Sequence, residues 1–515
     1  MHRQSRRGFL ADVGRGMLVA SLGSVVAQDL GLASASAVEG ADALTFGPLE
    51  PLVGLMQDTP AAQLLPILVG KLKSGNDLRT LVCAGALANA RSFGGQDYTG
   101  YHALMALVPA LQMSQELPEA ERALPVLKVL YRNTNRIQEQ GGRKKEVLHE
   151  LIAAEHATEK PVPESIRDGA RKADFVAAEQ SLARSLASGT PNEAFNHLQF
   201  AIQDEVDVHR VVLSWRAWAL LDLTGPEHAQ TLLRQSVRFC VNAEKLLQDH
   251  NMRPSGIRTT LPKLLDQHRF VGRNLGDRQP VDDWVEKLAE TICNSNRDAA
   301  ADAVAAALAE GFAPEAIGEA ISLAANQLVL RDPGRTKDED GKPKGSVHGA
   351  SVGVHASDSA NAWRNIARVS NQRNTAASLI VGAYHTAGQT NGLNNESFPA
   401  TESLESIKEN DAVGLLRATE AAIKDKDQVR ACALVHRYGQ MRFEPRPVFD
   451  LLLRYAVSED GALHAEKYYR TVTEEFASTG PAFRWRHLAA LARVTASEYG
   501  WPAAGVAEAR RLLNV

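Results

Sequence analysis

Apolar residues recur at helical spacing along almost all of this 515-residue chain, and Gly or Pro breaks interrupt them at short intervals. A period near 3.6 with frequent breaks leaves room for short helices and little else. Segments 61–73, 78–90, 171–187, 211–223 and 284–310 all carry the pattern. Alternating strand-like runs are few. Ala and Leu dominate the apolar set, and both favour helix. The sequence therefore predicts an all-α fold built from two-helix units joined by short turns.

The units repeat. Lys71-Leu72-Lys73-Ser74-Gly75 leads into Leu81, Ala86, Leu87, Ala88 and Asn89, and Ala307-Leu308-Ala309-Glu310-Gly311 leads into Ile317, Ser322, Leu323, Ala324 and Ala325. Ser185 to Gly189 followed by Ala194, Phe195 and Leu198 is a third copy, and 415–434 is a weaker fourth. Gly at the turn predicts a left-handed helix cap. The residues on the C-terminal side of the first three copies also match: Tyr101-His102, Val208-His209, and Val347-His348 with Val354-His355. The reading is a duplicated helical-repeat or α/α array, with two facing halves at 38–275 and 280–515. Segment 331–345 is charged and rich in Gly and Pro, so it reads as a solvated loop or a lid. Segments 132–145 and 388–397 also read as loops.

The N-terminus addresses the chain. Ser5-Arg6-Arg7-Gly8-Phe9-Leu10 matches the core of a twin-arginine signal, and a weakly apolar stretch comes after it. Cleavage after Ala35 or Ala37 fits the small-residue rule, so residues 1–37 are expected to be removed. The expected partner is the twin-arginine translocation machinery, and the expected location is periplasmic or secreted. Such cargo folds before export, which favours a cofactor loaded beforehand. No stretch is apolar and long enough for a spanning helix, so no stable membrane span is expected after cleavage.

Composition narrows the chemistry. A net charge of −4 with no basic stripe gives no reason to expect nucleic acid. Cys83, Cys240, Cys293 and Cys432 are far apart, which excludes CxxC redox motifs and c-type haem attachment. They read as small buried thiols, or as one or two disulfides in an oxidising compartment. No GxSxG elbow, Walker A loop or HExxH is present.

The richest polar constellation is Ser346 to Asp358. Read as helix, it sets His348, Ser351, His355 and Asp358 along one face, separated by Gly and Ala. Two imidazoles and a carboxylate suit Fe, Zn, Mn or Cu, and Asp358 beside His355 suits acid–base work. His102 and His209 occupy the matching repeat positions, with Asp97, Tyr98 and Tyr101 beside the first and Asp204, Glu205 and Asp207 beside the second. Tyr384-His385 closes the second-half unit. The candidate catalytic set is His348, His355 and Asp358. The candidate metal set is His102, His209, His348, His355 and His385. The histidines His436, His464 and His487 lack such neighbours in sequence.

The pattern Val347-His348, Val354-His355-Ala356, a following Asn and a unit ending in Tyr384-His385 resembles the questin oxidase-like family. It is also similar to helical His-containing segments of some Rieske-associated bacterial proteins. The resemblance implies an all-helical, metal-dependent oxidoreductase, with a transition metal such as Fe and a small-molecule ligand. The competing reading is a non-catalytic helical-repeat binding or scaffold protein. Close approach of the histidines separates the two.

Overall fold

The structure is a computed structural model that describes residues 43–154, 160–338 and 342–515. The twin-arginine segment, with Arg6, Arg7, Ala35 and Ala37, lies outside the described residues. Among them are 23 α-helices and no strand, as the apolar period requires.

In chain order the helices begin with α1 (Glu50–Asp58), α2 (Ala61–Lys73), α3 (Leu78–Phe93), α4 (Tyr98–Glu116), α5 (Leu124–Glu139) and α6 (Val162–Arg171). Next come α7 (Phe175–Ser188), α8 (Pro191–Ile202), α9 (Val208–Thr224), α10 (Ala229–Asp249), α11 (Ile257–Gln267) and α12 (Asp282–Asn294). After these are α13 (Arg297–Ala309), α14 (Pro314–Leu330), α15 (Val352–Val369), α16 (Gln372–Ala387), α17 (Thr401–Glu405) and α18 (Ala412–Lys424). The last are α19 (Gln428–Gln440), α20 (Arg446–Ser458), α21 (His464–Ser478), α22 (Trp485–Glu498) and α23 (Val506–Leu513). No helix among the described residues is long and apolar enough to cross a membrane.

Local chemistry sets the boundaries. Segment 284–310, expected as one helix, is two, because the Asn296 side chain accepts from the Ala299 amide and caps α13. Segment 132–139, expected as loop, continues α5 to Glu139. The two-helix turns hold Gly75 at φ +99° and Gly311 at φ +87°, the left-handed conformation expected of them. The third copy differs, since Gly189 is extended at φ −151°. In the fourth copy Lys426 takes the left-handed position at φ +59°.

The chain divides into two compact units, 43–108 with 130–258 and 109–129 with 259–515. In the first, α3 packs on α1 and α10 with Leu81 to Phe93 buried. Gly85 makes room there, because a Cβ at that position would sit 2.4 Å from a Leu130 methyl. Glu244 on α10 accepts from Arg258 at 2.6 Å and from Arg210 at 3.3 Å, so the buried charges are paired. In the second unit α14 lies along α15. A Cβ on Gly353 would meet the Val329 backbone nitrogen at 2.7 Å, so the small residues of this segment do permit close helix approach. Helix α15 also packs on α16 and α21, and α22 packs on α19 and α21. All four cysteines are buried free thiols.

Candidate metal centre

In the first unit, Asp97 and Asp207 lead into α4 and α9 by accepting from the amides of Gly100 at 2.7 Å and Arg210 at 2.9 Å. Each cap fixes where its helix begins and therefore where its histidine points. His102 is the fifth residue of α4 and His209 the second of α9, and both are buried. Their ring centroids are 4.8 Å apart. A ring nitrogen of one lies within 4.8 Å of a ring nitrogen of the other. Two imidazoles bound side by side to one ion, with metal–nitrogen bonds of about 2.1 Å, hold their centroids at about this separation.

The tautomer of His102 is set by its neighbour. Nδ1 lies 2.8 Å from the Tyr98 carbonyl oxygen one turn earlier. A carbonyl only accepts, so Nδ1 carries the proton and Nε2 keeps its lone pair. A backbone carbonyl on the second ring nitrogen is the usual support of a metal-ligating histidine. The Tyr98 ring lies tilted against His102 with centroids 4.3 Å apart, and Tyr101 sits 5.1 Å from His102 and 5.2 Å from His209. Phe239 meets Tyr101 edge-on at 5.4 Å. The Tyr101 hydroxyl is buried and has no hydrogen-bond partner among the described residues. Burial pushes this phenol well above its ordinary range, and Asp207 adds to the effect. Asp207 Oδ1 is 3.8 Å from His209 Nδ1. Burial pushes the Asp207 carboxyl up to about 6 against the pull of its cap bond. These two imidazoles can hold a metal ion.

The second unit contains another imidazole pair. His355 Nε2 lies 3.1 Å from His464 Nε2. His355 is the fourth residue of α15 and His464 the first of α21. Further along the same two helices, Asp358 accepts from the Thr471 hydroxyl at 2.8 Å, and Asn361 donates to Glu475 at 2.8 Å. The partners advance together, so α15 and α21 run parallel along a polar seam. Burial pulls the His355 imidazole down to about 3, and the charges of Lys467, His348 and His385 add to that. The ring is therefore neutral at physiological pH.

The remaining expected site residues have other local settings. His348 is not on the helix. Ser351 caps α15 by accepting from the Val354 amide, which ends the helix before His348. The His348 ring is exposed and accepts from the Ala350 amide through Nδ1 at 2.8 Å. Ser351 is thus a cap and not a member of a polar helix face. His385 is buried on α16, and its Nδ1 has no hydrogen-bond partner among the described residues. Asp204 and Glu205 are held by Arg171, Arg258 and the Ser255 amide, which leaves them structural. His197 bonds Ser185 at 2.7 Å. His464 carried no signal in the sequence, since it lies 109 residues from His355 and matches none of the repeat positions. Compared with protein-family models, with curated proteins and with solved structures, the chain matches none.

Proposed function

We propose that this chain is an exported periplasmic oxidoreductase that depends on a transition metal, with His102 and His209 as protein ligands. The observation that carries the reading is the buried pair itself, with centroids 4.8 Å apart and the His102 tautomer fixed by the Tyr98 carbonyl. Imidazole nitrogens suit Fe, Cu, Zn and Ni, and the neighbouring buried phenols favour a redox-active member of that set. The twin-arginine pattern at Arg6 and Arg7 supports the same reading, because that route carries folded, loaded cargo. The ion would supply the Lewis-acid or electron-transfer chemistry. The protein would supply two neutral donors, a fixed tautomer on His102, and aromatic walls from Tyr98, Tyr101 and Phe239 that exclude water.

Metal analysis of the mature chain purified from the periplasm tests this. Transition metal is expected in the purified chain, with His102→Gln and His209→Gln each lowering the content by about one equivalent per chain. Replacing Arg6 and Arg7 together by Lys is expected to leave the precursor in the cytoplasm. A metal content that the two histidine substitutions leave unchanged refutes the site. A parent protein that is metal-free and inactive in redox assays favours the binding-protein reading instead.

A further inference from the structure

We infer that His355 and His464 form a second pair of metal ligands, in the second unit of the fold. The geometry separates this from an ordinary hydrogen bond. Two imidazoles meeting head-on at their 3.1 Å nitrogen separation would hold their centroids about 5.4 Å apart. Two side-by-side ligands of one ion, with bonds of about 2.1 Å, would hold them about 4.8 Å apart. The observed 5.0 Å, with the rings at 75° to one another, lies nearer the second value. A shared ion at that bond length and nitrogen separation subtends about 95°, within reach of tetrahedral or octahedral coordination.

The support behind the pair is of the kind metal ligands have. The Gly461 carbonyl oxygen lies 3.1 Å from His464 Nδ1 and also accepts from the His464 amide at 2.8 Å. Nδ1 therefore carries the proton and Nε2 presents a lone pair. In the absence of an ion, His355 must supply the proton shared between the two Nε2 atoms. An incoming ion takes the place of that proton, which moves to His355 Nδ1 so that the ring stays a neutral donor. The approach to His464 is also strained. Ala462 and Leu463 sit consecutively in the left-handed region, at φ +49° and +67°. Strain of this kind persists where the surrounding fold holds a particular side chain in place.

Room for a further ligand lies against His464. His464 lines a cavity of about 40 Å³, with Tyr455, Gly461, Tyr468 and Leu491 among its walls. One water needs about 10–15 Å³, so two or three waters or a small exogenous ligand fit.

The test uses the full mature chain, stripped with EDTA and titrated with Zn(II) against a chromophoric chelator and with Co(II) by visible absorption. His464→Gln and His355→Gln are each expected to weaken Zn(II) binding at least tenfold while leaving the far-UV circular dichroism unchanged. His464→Cys is expected to gain a Co(II)–thiolate charge-transfer band, which appears only if residue 464 ligates the ion. Equal Zn(II) affinity and stoichiometry in parent and His464→Gln would overturn the inference, as would a His464→Cys protein without that band. Loss of metal in His102→Gln but not in His464→Gln sinks this inference alone. The reverse pattern sinks the reading of His102 and His209 alone.

Discussion

Acid should destabilise the second unit through histidines that folding keeps neutral, and His385 is the cleanest probe. Its ring is buried on α16, and burial, with the charge of Arg297 beside it, pulls its pKa from 6.5 down to about 3. A base with a lowered folded pKa contributes its full stability above the unfolded value. That contribution is lost as pH falls toward the folded one. Between pH 6.5 and about 3 the unfolded chain takes up a proton that the folded chain refuses. Each pH unit below 6.5 costs about 1.4 kcal/mol, so the loss at pH 5 is about 2 kcal/mol. His355, lowered to about 3, and His487, lowered to about 4, lose similar amounts over the same window. Together they remove a large share of the 5–15 kcal/mol or so that holds an ordinary domain together. Urea unfolding at pH 7, 6 and 5, followed by circular dichroism with EDTA present, measures the effect. His385→Gln cannot titrate, so its loss between pH 7 and pH 5 should be smaller than the parent's by about 2 kcal/mol. Taking the difference within each protein cancels whatever the substitution costs at neutral pH. An equal loss in parent and variant refutes the reasoning.

Three further substitutions test the packing. Gly353→Ala drives a methyl into the Val329 backbone and should cost about 1–3 kcal/mol in thermal or urea unfolding. Asp207→Asn keeps an acceptor for the Arg210 amide but removes a buried charge. The parent carboxyl has a raised folded pKa of about 6, so the parent gains stability as pH falls from 6 toward 4. The Asn variant should lack that gain and be more stable at pH 7 by about 1–3 kcal/mol, read by urea midpoints. Tyr101→Phe deletes a buried hydroxyl that makes no hydrogen bond, so unfolding should show stability equal to or above the parent by up to about 1 kcal/mol.

The fold was legible because helical periodicity is local. The boundaries of α2 and the Gly75 and Gly311 turns are set by residues within one or two turns of chain. The break between α12 and α13 was missed because the Asn296 cap sits inside a run whose apolar spacing continues across it. The site was legible in part. Equivalent repeat positions pointed to His102 and His209, and these do meet at 4.8 Å. In the second half the same logic chose His348, because Val347-His348 copies Val208-His209. The helix there starts four residues later at its Ser351 cap, which promotes His355 and leaves His348 in solvent. His464 was out of reach of any local signal. Its partner is brought to it by the packing of α15 on α21, a contact between segments more than 100 residues apart.

That packing rests on a seam that is polar where an apolar one would be cheaper to bury. Glu475, almost fully buried on α21, accepts from Asn361 at 2.8 Å and from Arg364 at 2.6 Å, both on α15. Arg364 also donates to Glu315 at 2.6 Å and to the Ser478 carbonyl at 2.9 Å. A buried ion pair gains little net stability over well-packed apolar residues, but removing one partner strands the other and costs about 3–5 kcal/mol. Glu475→Leu should therefore destabilise the chain by about that much, tempered by the bond Arg364 keeps to Glu315. Adding Arg364→Met should recover most of the loss, because no charge then remains uncompensated. The coupling energy from this double-mutant cycle, read by urea unfolding at pH 7, is expected to exceed about 2 kcal/mol. A Glu475→Leu protein within about 0.5 kcal/mol of the parent would show that the seam carries no structural weight. Apolar replacement of the pair can preserve stability, but it cannot preserve the register that these directional bonds impose. The same register, one to three turns toward the start of α15 and α21, sets the separation of the His355 and His464 rings.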